Sequence, residues 1–142
     1  MKKLIIFVGA ILLLIHVACQ DVTVGYLKTE NALYNPDTLI IRKEPDPVKD
    51  ALRIQNDAPW RALTMQGYLG TPPILFSIEN VTSPNGQEAA DLFKKELSVL
   101  GGGSLLYKLR GEAPRGRYVI SVRLTNEGYS KVVPDAFTFI VE

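Results

Sequence analysis

The side chains that most often carry catalysis or bind metal ions are scarce in this sequence. The chain has one cysteine, Cys19, and one histidine, His16, and both follow an apolar N-terminal stretch. If the leader is removed before Cys19, no histidine remains, which excludes a Ser/His/Asp triad, a Cys/His pair and a histidine-based zinc site. Acid–base chemistry would need carboxylates, lysine or tyrosine, and the 15 acidic residues show no pocket-like clustering. We therefore expect a protein that is not an enzyme and needs no cofactor or metal ion.

The first eighteen residues have the features of an export signal. Lys2 and Lys3 form a basic start, and Leu4 to Val17 is a run of 14 residues without a formal charge. As a helix, this run would be about 21 Å long, which is shorter than the roughly 30 Å hydrocarbon core of a bilayer. Residues 1–18 are thus predicted to be a signal peptide rather than a membrane-spanning helix.

The end of this leader carries a motif of its own. His16-Val17-Ala18-Cys19 resembles the lipobox of bacterial lipoproteins, although an apolar residue is usual at the position of His16. The resemblance implies cleavage before Cys19 and acylation of that cysteine, with palmitate or similar chains whose buried CH₂ groups contribute about 0.8 kcal/mol each. It implies an outer-membrane lipoprotein of the cell envelope, on the periplasmic or the outer face. The alternative is an unmodified thiol in a leader.

Removal of the leader leaves a nearly neutral chain. The 16 basic residues lose Lys2 and Lys3, so 14 remain against 15 acidic ones, a formal charge of −1. Nucleic-acid binding needs a basic face that displaces counterions, so we exclude nucleic acid as a partner. The expected partners are the membrane, through the acyl anchor, and either a glycan or another envelope protein.

Three short motifs suggest further chemistry. Gly101-Gly102-Gly103-Ser104 could cradle a phosphate, but no lysine follows it and it precedes a strand, so we interpret it as a permissive turn. Asn80-Val81-Thr82 matches an N-glycosylation triplet, and we interpret it as the end of a strand. Asp37-Thr38-Leu39 resembles the O-glycosylation signal of Bacteroides-type exported proteins, which would make Thr38 the modified residue.

Exposed aromatic side chains are the usual platforms for sugar rings, because their faces stack on apolar C–H patches. Trp60 follows a loop, and Tyr68 and Tyr129 stand beside glycines in predicted turns, so these three are the candidate ligand-binding residues. For Trp60, burial in the core at the start of a strand is the stronger interpretation. Tyr107 and Tyr118 belong to inward-facing sets and are not candidates.

Short alternating segments separated by glycine and proline turns predict an all-β domain. The predicted strands are Thr38–Arg42, Arg61–Gln66, Ile74–Glu79, Ser104–Arg110, Tyr118–Leu124 and Ala136–Val141. A long loop with one helical turn near Val48–Leu52 is expected after Glu44, and Glu88–Leu100 fits either a helix or a distorted edge strand. We expect a lipidated tether over residues 19–30 and one antiparallel β-sandwich over residues 31–142.

One segment points to a particular kind of sandwich. Gly116-Arg117-Tyr118-Val119-Ile120 resembles the approach to the penultimate strand of immunoglobulin-like domains, with Tyr118 at the tyrosine-corner position. The order of segments after Gly67 is similar to that of cadherin-like domains. Arg110 stands where the calcium motif of that family has an aspartate, so we expect no calcium site.

A second resemblance bears on function. Tyr34-Asn35-Pro36-Asp37, Pro59-Trp60 and the stretch from Gln66 to Ile74 resemble small surface lipoproteins of Bacteroides-type bacteria. That family is often linked to glycan uptake. The resemblance implies a non-catalytic accessory or glycan-binding component of surface polysaccharide acquisition. The alternative is a structural or adhesive module that docks a protein partner.

Overall fold

The computed structural model describes residues 2–9 and 25–142. Residues 2–9 form a helix, α1. The predicted cleavage site and Cys19 lie outside the described residues, so signal-peptide cleavage and acylation stay predictions. In the two described ranges, no helix has both the length and the apolar character needed to cross a membrane.

The described residues form nine strands, two further helices and one 3-10 turn. The strands are β1 (Leu27–Lys28), β2 (Thr38–Ile41), β3 (Trp60–Arg61), β4 (Leu69–Gly70), β5 (Leu75–Thr82), β6 (Leu97–Val99), β7 (Leu105–Tyr107), β8 (Gly116–Asn126) and β9 (Tyr129–Val141). The helices are α2 (Ala51–Gln55) and α3 (Gln87–Glu96), and the 3-10 turn is Gly101–Gly103. This composition confirms the predicted all-β class.

The strands form a four-stranded sheet, a three-stranded sheet and a separate pair. The large sheet has the order β2-β9-β8-β5, the smaller one β3-β7-β6, and β1 pairs with β4. All pairs are antiparallel except β2 with β9, which is parallel. The sheets are thus antiparallel as expected, with one parallel pair that the sequence did not indicate.

The β8–β9 hairpin forms the centre of the large sheet. The alternation in β8 buries Tyr118, Ile120, Val122 and Leu124 completely, as predicted. Strand β9 begins at Tyr129, earlier than predicted, because its first half continues the ladder with β8. At a bulge opposite Ser121, the Asp135 N–H donates to the serine hydroxyl at 3.0 Å, so Ser121, which we expected on the outer face, is covered by the bulge and buried.

The core is built on three stacked aromatic rings from three elements. The Phe93 ring of α3 lies between Tyr107 of β7 and Tyr118 of β8, with centroid distances of 4.2 Å on both sides. The stack joins the inner faces of the two sheets. The segment Glu88–Leu100, for which the sequence allowed a helix or an edge strand, contains both, because helix α3 passes directly into strand β6 at Leu97.

The tyrosine corner is present as predicted. The Tyr118 hydroxyl donates a 2.6 Å hydrogen bond to the Pro114 carbonyl, four residues upstream. Burial raises the pKa of this hydroxyl, which keeps it in its donating form. The corner fixes the path of the chain into β8.

Two predicted segments differ from the structure. The strand expected over Arg61–Gln66 is shorter, because β3 ends at Arg61 and the chain then bonds elsewhere: the Met65 N–H donates to Gly102 and the Gln66 N–H donates to Leu33. Folded structure also begins before the expected boundary at residue 31, since Leu27 is buried and pairs with Gly70.

The long β8–β9 ladder gives the domain two ends. The hairpin end carries the Glu127–Gly128 turn and the β1–β4 pair. The Asn126 amide connects the turn to this pair, because it donates to the carbonyls of Tyr26 (2.8 Å) and Thr71 (3.2 Å). We call the corner end the opposite one, where Gly116 pairs with Val141 and the tyrosine corner lies. The chain enters the domain at the hairpin end and finishes at the corner end.

Candidate functional site

Of the two candidate modification residues, Thr38 and Cys19, Thr38 belongs to the described residues. Thr38 is exposed at the start of β2, and its hydroxyl donates to the Asp37 carboxylate at 3.1 Å. The side chain is therefore accessible for the predicted O-glycosylation. Cys19 lies outside the described residues.

The candidate residue Trp60 is a core residue. Only 3% of its surface is exposed, and its indole N–H donates to the Leu109 carbonyl at 3.2 Å. The Arg53 guanidinium covers the ring at 4.3 Å from its centroid. Trp60 therefore offers no free face to a sugar, which confirms burial, the stronger of the two interpretations, and corrects its inclusion among the candidate ligand-binding residues.

The two candidate tyrosines are more accessible but lie apart from Trp60. Tyr68 is half-buried, with its ring edge-to-face against Phe76 at 5.1 Å. Tyr129 is 37% exposed and lies at the hairpin end, directly opposite Asn126. Trp60 lies towards the other end, close to Arg42, which follows the last residue of β2. The structure thus does not bring the three aromatic side chains together on one surface.

A cluster of charged residues surrounds Trp60 at the corner end. The buried Asp50 carboxylate accepts hydrogen bonds from Arg42 at 2.9 and 3.2 Å and from Arg53 at 3.4 Å. Its second oxygen also accepts the Asp46 N–H at 2.8 Å. Because its partners satisfy the buried carboxylate, Asp50 holds both arginines in place, and Arg53 is fixed over the tryptophan ring.

We did not predict this cluster from the sequence, although Asp50 is one residue that could have indicated it. An aspartate directly before a helical segment is the usual sign of an N-cap. Asp50 occupies that position before α2, but its side chain makes no cap hydrogen bond and bonds the arginines instead. Asp46 orders the turn before α2, because its carboxylate accepts hydrogen bonds from the N–H groups of Lys49 and Val48. These hydrogen bonds lower the pKa of Asp46.

An open cleft of about 400 Å³ adjoins the cluster. It is lined by α2 and its flanking residues: Val48, Lys49, Asp50, Ala51, Leu52, Arg53, Asn56, Ala58 and Pro59. Val48 and Leu52 are 86% and 74% exposed, so their apolar side chains are accessible to a ligand. The cleft therefore combines free apolar side chains with the polar groups of Lys49, Arg53 and Asn56.

A second cleft of about 340 Å³ shares Pro59 with the first. Its other lining residues are Asp57, Lys108, Leu109 and Arg110. The loop that carries Lys108, Leu109 and Arg110 is held by Glu96, whose carboxylate accepts the Glu112 N–H at 2.9 Å, the Ala113 N–H at 3.2 Å and the Tyr107 hydroxyl at 2.9 Å. Burial and this carboxylate raise the pKa of Tyr107, so the hydroxyl stays protonated and continues to donate.

The outer edge of the large sheet is a separate surface. Among the strands of residues 25–142, β5 pairs with β8 alone, and an extra residue, Glu79, forms a bulge within it. The Glu79 carboxylate accepts two hydrogen bonds from Arg123 at 2.7 and 2.9 Å, which lower its pKa, and its backbone carbonyl accepts one from Lys94 at 3.2 Å. The bulge and Lys94 limit how far another strand could pair along β5.

Metal ligands do not converge in the part of the chain that the structure describes. Over residues 2–9 and 25–142, no three His, Cys, Asp or Glu side chains are grouped closely enough to hold a metal ion.

Comparison with known proteins gives one structural likeness. No family model and no curated protein matches the chain. The chain is similar to the solved structure of a SusE-like, surface-located polysaccharide-binding protein from the Bacteroides thetaiotaomicron heparin utilisation locus, with a TM-score of 0.51 and 16% identity. The match covers 84% of this chain and 15% of that one, so the chain spans a small part of that protein's length. At this identity, the likeness concerns the fold: an antiparallel β-architecture that also occurs in that protein.

Proposed function

We propose that this protein is a non-catalytic envelope lipoprotein, anchored in the outer membrane through Cys19, that binds a glycan at its corner end as an accessory in surface polysaccharide acquisition. The observation that carries the glycan-binding role is the pair of adjoining clefts that share Pro59. Their volumes are in the range of sites for small ligands.

The lining of the clefts suits a sugar chain. A pyranose ring has apolar C–H faces, which can rest on Val48 and Leu52, and a rim of hydroxyl groups, which need donors and acceptors. Lys49, Asn56 and Arg110 supply these groups at the edges of the two clefts. Because the clefts adjoin, a chain of several sugars could occupy both.

Two further observations support the proposal. The lipobox-like motif at Cys19 supports the anchor, and the likeness to a surface-located polysaccharide-binding protein supports the role. The sheet orders, the parallel β2–β9 pair and the Tyr118 corner support an immunoglobulin-like/cadherin-like sandwich.

A glycan array with the soluble chain over residues 20–142 tests this function. For any glycan that binds, Lys49→Ala and Leu52→Ser should each weaken binding about tenfold, which corresponds to about 1.4 kcal/mol. Both side chains are exposed, so the fold should be unaffected. The matched controls are Lys95→Ala on α3 and Leu63→Ser, which are exposed away from the clefts and should bind like the unchanged chain.

The array also tests the sequence-predicted residues. If Tyr129→Ser abolishes binding and the cleft variants do not, the site lies at the hairpin end and the assignment to the clefts is wrong. If no glycan binds, the glycan-binding role itself is contradicted.

A protein-interaction module is the second candidate, and strand β5 favours it. The first four residues of this edge strand, from Leu75 to Ile78, precede the Glu79 bulge, and Leu75 is exposed, so this part of the edge is open to a partner. Leu75→Lys should then reduce cross-linking to an envelope protein in intact cells without changing glycan binding. Unchanged cross-linking would argue against docking at this edge.

A further inference from the structure

We infer that the hairpin end docks on the lipid surface that holds the protein's own anchor, so that the corner-end clefts face away from the membrane. This inference rests on the acyl anchor at Cys19 in the proposed function. It adds an orientation and a second interaction surface, whose occupant is the phospholipid headgroup region.

The docking surface lies on the outer side of the β1–β4 pair. Leu27 pairs with Gly70 and turns into the core, so Lys28 and its partner Leu69 lie on the opposite face, and Tyr26, directly before β1, is exposed next to Leu27 in the chain. Tyr26 is 48% exposed and Leu69 is 58% exposed. The Asn126 amide binds the Tyr26 carbonyl, and Tyr129 stands opposite Asn126, so a second exposed tyrosine adjoins this face.

The chemistry of these side chains suits a membrane interface. Tyrosine is enriched at the level of the headgroups, because its ring is apolar and its hydroxyl is polar. Leu69 can enter the acyl boundary, and the Lys28 ammonium can remain among lipid phosphates at the end of its apolar stem. The four residues together form a small amphipathic surface.

The length of the segment between Cys19 and Tyr26 limits how far the hairpin end can lie from the membrane. Six residues lie between Cys19 and Tyr26, and the seven residue-to-residue steps from Cys19 to Tyr26 span at most about 25 Å when fully extended. The 11-residue strand β8, which runs from one end of the domain to the other, is itself about 35 Å long at ~3.3 Å per residue. An acylated Cys19 therefore keeps the hairpin end close to the bilayer and favours an outward-facing corner end.

The short connection also explains why so small a surface is sufficient. A tethered surface meets its partner at an effective concentration of roughly millimolar, so a contact too weak to hold a free protein can still be occupied. Two tyrosines, one leucine and one lysine need not bind lipid on their own. They need only to bias the orientation of a domain that is already anchored.

The test uses the full chain, expressed and acylated in cells and reconstituted into phosphatidylethanolamine/phosphatidylglycerol vesicles. Acylation consumes the Cys19 thiol, so one introduced cysteine can carry a nitroxide label. The two label sites are Leu69→Cys at the hairpin end and Leu52→Cys at the corner end, which are matched exposed leucines. Collision rates with oxygen, which concentrates in lipid, and with a water-soluble nickel chelate report where each label lies.

We expect the oxygen-to-nickel ratio to be at least about fivefold higher for the label at position 69 than for the label at position 52. Adding Tyr26→Ser and Tyr129→Ser to the Leu69→Cys chain should bring its ratio towards the value at position 52. Equal ratios at the two positions, or a higher ratio at position 52, would overturn the proposed orientation.

Mass spectrometry of the Cys19 peptide separates the two levels of the proposal. An acylated, vesicle-bound chain whose label at position 69 stays in water overturns the docking alone and leaves the anchor and the clefts in place. A chain without acyl groups overturns the anchor and, with it, the docking.

Discussion

The hydroxyl of Tyr118 offers a test of the fold that changes a single atom. Tyr118→Phe removes the 2.6 Å hydrogen bond to the Pro114 carbonyl and keeps the ring in its stack on Phe93. A typical hydrogen bond contributes about 1 kcal/mol net, and a carbonyl left without a partner in the core costs up to about 3 kcal/mol. Pro114 is exposed, so water can replace the lost donor at its carbonyl. We therefore expect a loss of about 1 to 1.5 kcal/mol, at the lower end of that range.

Urea unfolding followed by circular dichroism measures this loss. For a domain of this size, about 1 kcal/mol should lower the melting temperature by about 3 to 5 °C and move the urea midpoint by about half a molar unit. The matched control is Tyr129→Phe, the same chemical change at an exposed ring, which should leave the midpoint unchanged. If the two variants unfold together, the hydroxyl of Tyr118 does not stabilise the fold and the reasoning about the corner is refuted.

Four further predictions concern the core, an ion pair, calcium and the anchor. Phe93→Ala empties the centre of the ring stack and should cost about 3 to 5 kcal/mol in the same urea assay; a loss below about 1 kcal/mol would contradict the packing. Arg123 lowers the pKa of Glu79 in the folded state, so the ion pair stabilises the fold above the unfolded pKa of about 4.3, and this stabilisation is lost as pH falls through the lower folded value. The difference in unfolding free energy between the unchanged chain and Arg123→Gln should therefore narrow below about pH 4. A difference that does not depend on pH would argue against the ion pair. Thermal melts with millimolar calcium and with chelator should superimpose, because we expect no calcium site. Calcium at a hundred times its dissociation constant would stabilise the folded state by about 2.7 kcal/mol and would separate the two melts. Cys19→Ser should release the protein from membranes or leave it unprocessed, and acyl labelling that persists in the variant would disprove acylation at Cys19.

Segments whose neighbours in space are also neighbours in sequence were predictable. Strand β8 has strict alternation, and the corner at Tyr118 bonds a residue only four positions away, so local pattern was sufficient for both. The Glu88–Leu100 segment was ambiguous because a helix and a strand follow each other without a glycine or proline between them, and Leu97, the buried first residue of β6, comes four residues after Phe93 and so also fits the apolar stripe of α3.

The residues around the clefts were less predictable, because their positions depend on contacts between distant segments. A tryptophan at the start of a strand can stack on a ligand or on a side chain of the protein. In this chain Arg53 occupies the face of Trp60, and Arg53 is itself held by Asp50. Neither arginine has a sequence motif that would indicate this role. The clefts follow from that arrangement and could not be derived from residue types alone.

The parallel pairing of β2 with β9 determines how the domain would carry a mechanical load. If the chain is held at its N-terminal side and pulled at its C-terminus, Thr38 and Val141 are drawn in opposite directions along the same pair of strands. The load then acts in shear, so the hydrogen bonds of the ladder from Thr38–Thr138 to Ile41–Val141 must break together. The β1–β4 pair has only two residues in each strand and gives less resistance. Under tension, we expect the β1–β4 pair to open before the β2–β9 ladder, whereas Tyr34, buried in the core with its hydroxyl bonded to the Gly103 carbonyl, holds the chain from that point to β2 in place. If the domain is anchored at its N-terminal side, opening of this pair would add reach while the two larger sheets stay intact.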